Sequence, residues 1–384
     1  MDFKFEQHVK VKVTNDLSKT ILDILNLKKY KKPFIVVEKF LLDMPVVKEF
    51  FNTLRENSIE FITYDEVLPN PTVRMVDEGV TKFKENHCDS VIAIGGGSII
   101  DTARGINVVR TLGGSSIKEY VNERELSKPC EGLISVPSTS GTGSELSNTF
   151  VITDEDKKEK LAVISDNAVS EFAVLYPKLT LTVPTQSTIA TGLDAFTHAL
   201  EGYTSTLSSP ITDAICEKIM YLIVKYLPKV VKNGNDIEAR ERMMVAAAMG
   251  GWTMNSAGTH IGHSQAHILG AKYNITHGAA CAYAAPGTIQ YTANVEPKKI
   301  KEVGYILGAE FPEDVTDFEI GSIVSEKFRN FRDETLGLKP FSSYGISREE
   351  ILSNIEEVKK EQFAINAPIK LDTKTMNDIL EVFG

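Results

Sequence analysis

The sequence predicts an α/β N-terminal domain with a parallel sheet, followed by an all-α C-terminal domain. Three observations carry this. Short β-branched runs alternate with helical patterns through the first half. Beyond about residue 185 the patterning becomes helical throughout. And five of the seven histidines crowd between positions 198 and 277, inside the helical half.

The strands are read in order. "FIVV" (34–37), "FITY" (61–64), "VIAI" (91–94) and "GLISV" (132–136) are separated by helix-length segments such as "VRMVDEGVTKFKENH". Strand–helix alternation at this spacing argues for parallel strands with helices on both faces. "VITD" (151–154) and "LAVIS" (161–165) flank the charged stretch "DEDKKEK" and read as a hairpin. From Gln186 onward, "STIATGLDAFTHALEGYT", "DIEARERMMVAAAMGGWTMNS" and "REEILSNIEEVKKEQ" all carry helical patterns, with Pro210 and Pro286 read as helix punctuation. The expected boundary divides residues 1–185 from 186–384.

At 384 residues the chain can bury two cores. A net charge of −10 argues against binding a phosphate backbone, so neither nucleic acid nor an anionic membrane is expected as a partner. Cys88, Cys130, Cys216 and Cys281 are scattered, with no C-x-x-C pair. They read as reduced core residues of a cytoplasmic protein. The N-terminus lacks the apolar core of a signal peptide, and no apolar run reaches transmembrane length.

Two loops carry binding chemistry. In "VIAIGGGSIIDTARGINVV" a buried strand runs through Gly95-Gly96-Gly97-Ser98 into a helix. Glycines let backbone N–H groups approach an anion, and the helix N-terminus adds positive partial charge, which suits a pyrophosphate. This is not the G-x-G-x-x-G fingerprint. After the next strand, "VPSTSGTGSE" offers hydroxyls from Ser138, Thr139, Thr142 and Ser144, with Gly141 and Gly143 relieving crowding. Two such loops at the ends of neighbouring strands make a nucleotide crevice, and the first half becomes a candidate dinucleotide-binding domain. Glu38, just past "FIVV", stands where an acidic residue can hold a ribose diol and repel a 2′-phosphate.

The second half offers metal ligands. "TGLDAFTHALEGY" places Asp194 and His198 four residues apart on one helix face, and "THIGHSQAHILGAKYNITHG" supplies His263, His267 and His277. An aspartate with imidazoles suits a divalent transition metal, and the carboxylate biases the set toward iron. His260, His263 and His267 are expected to share one helix face.

Taken together, "PNPT" (69–72), "GGGSIID" (95–101), "GTGSE" (141–145), "TGLDAFTHALEGY" (191–203), "HSQAHILG" (263–270) and "THG" (276–278) resemble the iron-dependent, group III alcohol dehydrogenases of the dehydroquinate-synthase-like fold, nearly end to end. The resemblance implies NAD as cofactor and Fe²⁺, with Zn²⁺ as the alternative, held by Asp194, His198, His263 and His277. It implies that Gly96, Gly97 and Ser98 hold the pyrophosphate, and that Ser138, Thr139 and Thr142 line the adenosine side with Asn70 nearby. Asp101, Lys160 and Leu179 fall at further cofactor positions, and Glu38 at the position that selects NAD over NADP. His267 matches a histidine on the proton path, outside the ligand set. The implied reaction is hydride transfer between NAD(H) and a small alcohol or aldehyde, by a homodimer.

Two departures stand out. Arg104 replaces the lysine that usually continues the glycine motif, and with the charge kept, cofactor binding is expected to survive. His260 replaces a small residue. It is expected to border the substrate pocket as a second catalytic histidine and to favour a polar or anionic aldehyde. Competing readings are a zinc-dependent, glycerol-type polyol dehydrogenase and a dehydroquinate-synthase-like lyase. The lyase would need basic residues near the metal, and residues 255–285 hold only Lys272.

Overall fold

The computed structural model describes residue 3 and residues 5–121, 125–157 and 159–384. The chain forms two compact units. One comprises Glu6–Thr139 and Gly143–Leu181, the other Thr182–Gly384 with Phe5 and Ser140–Thr142.

The first unit is α/β. In chain order it contains β1 (Lys10–Val13), α1 (Leu17–Lys28), β2 (Pro33–Val37), α2 (Pro45–Glu56), β3 (Ile62–Tyr64), α3 (Val73–Glu85), β4 (Ser90–Gly95), α4 (Gly97–Leu112), β5 (Leu133–Pro137), β6 (Thr149–Asp154), β7 (Glu159–Ile164) and β8 (Phe172–Leu175). Six strands form one parallel sheet in the order β1-β8-β5-β4-β2-β3. The inner strands β2, β4, β5 and β8 are buried along their whole length because both faces are covered, as parallel sheets require. Ile35, Val37, Ile92, Ile94 and Val136 face a core shared with α1 and α2. Phe34, Val36, Val91 and Ala93 face one shared with α3 and α4. Asp16 and Thr72 cap α1 and α3 by accepting from the N–H groups of Lys19 and Met75.

The sheet order has one consequence for binding. From β2 the chain steps outward to β3, then returns past β2 to lay down β4 on its other side. This reversal opens a crevice beyond the carboxyl ends of β2 and β4, the usual ligand position in open α/β sheets.

The expected hairpin is present as β6 and β7, paired antiparallel from Thr149↔Ile164 to Asp154↔Glu159. Lys158, in its turn, lies outside the described residues. β1 and β8 carry no strand signal in the sequence. "KVKV" is an exposed edge strand that alternates charge with valine, and both it and "FAVL" are only four residues long.

The second unit is helical: α5 (Thr185–Thr204), α6 (Pro210–Lys232), α7 (Ile237–Ala257), α8 (Ile261–Tyr273), α9 (His277–Thr292), α10 (Pro297–Ile306), α11 (Asp317–Asn330), α12 (Arg348–Leu352), α13 (Ile355–Lys360) and α14 (Thr373–Glu381). Phe196, Leu200, Ile223, Met243, Ile289, Phe328 and Ile379 belong to its single core. α5 and α9 are buried almost all round and run through the centre, where side chains of small volume allow close approach.

Pro210 opens α6 at its first turn, as expected. Pro286 does not punctuate: it lies inside α9. Proline has no N–H to offer the carbonyl four residues back, and Arg332 Nη1 donates to that carbonyl, Ala282 O, at 3.1 Å. A long-range partner thus repairs the bond that the local rule expects to be lost. Among the described residues, no helix is long and apolar enough to cross a membrane.

Candidate active site

In the α/β unit the cofactor candidates gather at the crevice. Glu38 ends β2, with its N–H bonded to Ile94 O at 3.1 Å, and Ser138 follows β5, with its N–H on Gly95 O at 2.9 Å. The Ser138 hydroxyl donates to the Glu38 carboxylate at 3.4 Å. Burial pushes the Glu38 carboxyl pKa up, opposed by hydrogen bonds from the Gly96 N–H and Ser138. Gly96 caps α4 without a side chain, which leaves the helix N-terminus at Gly97 and Ser98 framed by backbone alone. A Cβ at Gly96 would lie 3.7 Å from Thr139, so the two loops meet there. Gly95 is needed for another reason: its Cβ would strike Ile99 at 2.4 Å.

Other candidates sit elsewhere. Lys160 Nζ donates to Asn70 Oδ1 at 3.1 Å and Thr153 Oγ1 at 2.9 Å, bringing the "PNPT" turn onto the hairpin. Asn70 takes the left-handed backbone that asparagine tolerates. Asp101, on α4, is engaged by groups of the fold itself. Its two oxygens accept from the Ser144 hydroxyl and from the Val151 N–H, tying α4 to the hairpin. The Leu179 side chain is wholly enclosed in the core. Ser140–Thr142, including the candidate Thr142, cluster with the helical unit, where a Cβ on Gly141 would strike Thr191 at 2.6 Å. Arg104 is fully buried, donating to Ala168 O at 3.0 Å and Thr149 O at 2.8 Å over the Phe150 ring. It pins the hairpin.

In the helical unit, α5, α8 and α9 bring one ligand atom each from Asp194, His198, His263 and His277 within 4.8 Å of one another. The Nε2 atoms of His198, His263 and His277 lie 3.7, 3.7 and 3.5 Å from Asp194 Oδ1. Asp194 Oδ1 and His263 Nε2 are buried without a hydrogen-bond partner. Burial holds the His198 imidazole pKa down to about 4, which keeps it neutral; the His277 pKa is lowered as well, although its side chain is 41% exposed. One carboxylate, the imidazoles of His198 and His277 and two buried atoms without a hydrogen-bond partner fit a divalent cation, while the acidic groups around His263 raise its own pKa against the effect of burial. Gly278 belongs to the same construction: a Cβ there would lie 2.2 Å from Ala190 O, so only glycine lets α9 close onto α5.

Glu201, one more turn along α5, is the residue that sequence reasoning missed here. It is fully buried and accepts from the backbone N–H groups of His260, Gly262 and His263, and from His263 Nδ1 at 2.7 Å. A carboxylate can only accept, so His263 keeps its proton on Nδ1 and directs the Nε2 lone pair at the cluster. The signal was present: Asp194, His198 and Glu201 recur at helical spacing in "DAFTHALE".

His260 overturns an expectation. It is not in the helix but caps its start, with φ −143° and ψ −127°. Its side chain is 0 % exposed, with Nε2 2.9 Å from the Thr204 hydroxyl and Nδ1 3.8 Å from Glu201. Enclosed by these partners, it offers no face to a substrate. His267 lies outside the ligand cluster, its ring stacked on that of His277 with centroids 5.3 Å apart. Its Nδ1 is 3.0 Å from the Glu361 carboxylate, a partner 94 residues away that no local pattern announces.

The same architecture is found in known proteins. Residues 10–177 match the family model for iron-containing alcohol dehydrogenases, and residues 188–383 match that for the C-terminal part of the Fe-containing alcohol dehydrogenase family. An NAD-dependent methanol dehydrogenase of Bacillus methanolicus is 36% identical over 278 residues, covering 72% of this chain and 73% of its own. Alcohol dehydrogenase 4 of Schizosaccharomyces pombe is 37% identical over 284 residues, covering 73% and 67%. The solved structure of an alcohol dehydrogenase from Oenococcus oeni superposes with a TM-score of 0.92 at 29% identity, covering all of both chains. With both halves matched and the His/Asp cluster assembled, the chain belongs to the iron-containing alcohol dehydrogenase family, as an NAD-linked enzyme with a metal site.

Proposed function

We propose that this enzyme interconverts a small primary alcohol and its aldehyde with NAD(H), using a divalent metal held by Asp194, His198, His263 and His277. The observation that carries this is the convergence of four ligand atoms around two orphaned buried acceptors. In this reading residues 1–185 serve the cofactor and residues 186–384 the metal and substrate. When bound, the metal supplies Lewis acidity toward the substrate oxygen, and NAD(H) carries the hydride.

The chain's own groups do the rest. The N–H groups of Gly97 and Ser98 hold the pyrophosphate at the start of α4, with Gly96 giving the backbone clearance. Ser138, Thr139, Asn70 and Lys160 line the nucleoside side. Glu38 takes the ribose diol and repels a 2′-phosphate, which supports NAD over NADP. Asp194 brings the negative charge that offsets the cation, and His267 passes the substrate proton at Nε2. Fe²⁺ is preferred to Zn²⁺ because four protein ligands would fill a tetrahedral zinc, whereas iron accepts more. With His260 enclosed, no residue argues for an anionic aldehyde, and short neutral aldehydes are the expected substrates. The relative named methanol dehydrogenase agrees with a small substrate.

A cytoplasmic homodimer is the proposed form. Its supports are four free, buried cysteines and the open edge of β1, where Val11 and Val13 are 39% and 52% exposed. Light scattering at twice the chain mass tests the dimer. The reaction is tested by anaerobic NADH oxidation with Fe²⁺-loaded protein and a panel of short aldehydes. Turnover should vanish on chelation and return with Fe²⁺. Absence of turnover across the panel, with metal and NADH bound, would overturn the proposal.

A further inference from the structure

We propose that Glu361 is a positioning residue for proton transfer: it locks His267 in the tautomer that carries its proton on Nδ1 and presents Nε2 as the acceptor. This rests on the reading of His267 as the residue that passes the substrate proton. Glu361 follows α13 and reaches back to α8. Its Oε1 lies 3.0 Å from His267 Nδ1, while Oε2 accepts from the Ser264 hydroxyl at 2.8 Å and from the Phe363 N–H at 2.9 Å. The carboxylate is only 10% exposed, and all of these partners belong to the helical unit.

The chemistry of the donors decides the tautomer. An ionised carboxylate has no proton to give, so the proton between Oε1 and Nδ1 belongs to the imidazole. The ring is held from two further sides, by the His277 ring at 5.3 Å and the Phe363 ring at 5.5 Å. Ring orientation and tautomer are therefore both set before substrate arrives. His263 is treated in the same way by Glu201, so two histidines on α8 have their Nδ1 atoms engaged by two different carboxylates.

Glu361→Gln separates shape from polarity. The Phe363 N–H can only donate, so it keeps the amide oxygen of the new side chain at the Oε2 position. The amide NH₂ then faces His267 Nδ1 and can only donate to it. The ring must move its proton to Nε2, in a site of nearly unchanged shape. The test uses Zn²⁺-loaded, ¹⁵N-histidine-labelled full-length protein with NADH, with the His267 signals identified by their loss in His267→Asn. Wild type should show His267 protonated on Nδ1, and Glu361→Gln should show it on Nε2. For alcohol oxidation with NAD⁺, in which Nε2 must take up the substrate's hydroxyl proton, kcat should fall on the order of a hundredfold, the lower end of what a placed proton-transfer group contributes, with KM unchanged.

Wild type protonated on Nε2 overturns the proposal, even if the variant fails to fold. So does a variant whose tautomer is unchanged, or one whose tautomer switches while kcat stays within twofold. If wild-type protein reduces no aldehyde, the proposed function fails separately, and the nitrogen shifts still decide whether Glu361 sets the tautomer.

Discussion

The crevice of the α/β unit and the cluster of the helical unit are built from different materials. At the crevice the binding groups are mostly backbone: glycines ending β4, a bare helix N-terminus and serines in the following loop. At the cluster they are side chains drawn from α5, α8 and α9, held in turn by other side chains. A backbone site is made by a few consecutive residues and tolerates variation around them. A side-chain site depends on partners far along the chain, and each ligand is only as well placed as the group behind it.

The comparison is broken most directly at Asp194. Asp194→Ala removes the only carboxylate among the four ligands. Metal content measured by mass spectrometry should fall to background, and aldehyde turnover by about a thousandfold, the several kcal/mol expected of Lewis-acid stabilisation. Retention of metal and activity would show that the cluster is not the metal site.

Next in size is Glu201→Gln, which replaces none of the four ligands but gives His263 a donor where it now meets an acceptor. Metal affinity, read by chelator competition, should weaken about ten- to a hundredfold, with NADH binding unchanged. An unchanged affinity would mean that the ligand geometry does not depend on the group behind it.

The crevice should respond more mildly. Glu38→Ser removes a charge close to the proposed 2′-position, and the NAD:NADP preference in kcat/KM should drop about tenfold, in keeping with a Coulomb term of about 1 kcal/mol or more. The smallest catalytic effect is expected at His260. His260→Gln should lower thermal stability by about 1–3 kcal/mol through loss of its buried hydrogen bond to Thr204 and leave kcat within twofold. A large kcat loss with stability intact would restore His260 to the site.

Much of this was legible in the sequence, and the division between the two sites explains what was not. "VIAIGGGS" states a strand, a tight turn and a helix start within eight residues, so both the sheet and the crevice can be read locally. The ligand residues are legible too, because Asp194 and His198 share a helix face and "THG" opens α9. The supports behave differently. Glu201 sits at a readable spacing, whereas Glu361 reaches His267 across 94 residues. His260 was misread because a spacing of three implies a shared helix face only inside the helix, and α8 begins one residue later, at Ile261. Pro286 was misread for a related reason, and the buried place of Arg104 was not legible for the same one. Charge retention and proline's missing N–H are local facts, but a buried guanidinium is committed by the carbonyls around it, and Arg332 supplies what α9 lacks.

The Glu201 carboxylate has a consequence for how such an enzyme is supplied. It ties the start of α8 through the N–H groups of His260, Gly262 and His263, and packs so tightly that a Cβ on Gly262 would lie 2.2 Å from its oxygen. The start of α8 is therefore braced by contacts within the polypeptide, and an ion exchanged at the cluster would meet His263 in the position those contacts hold.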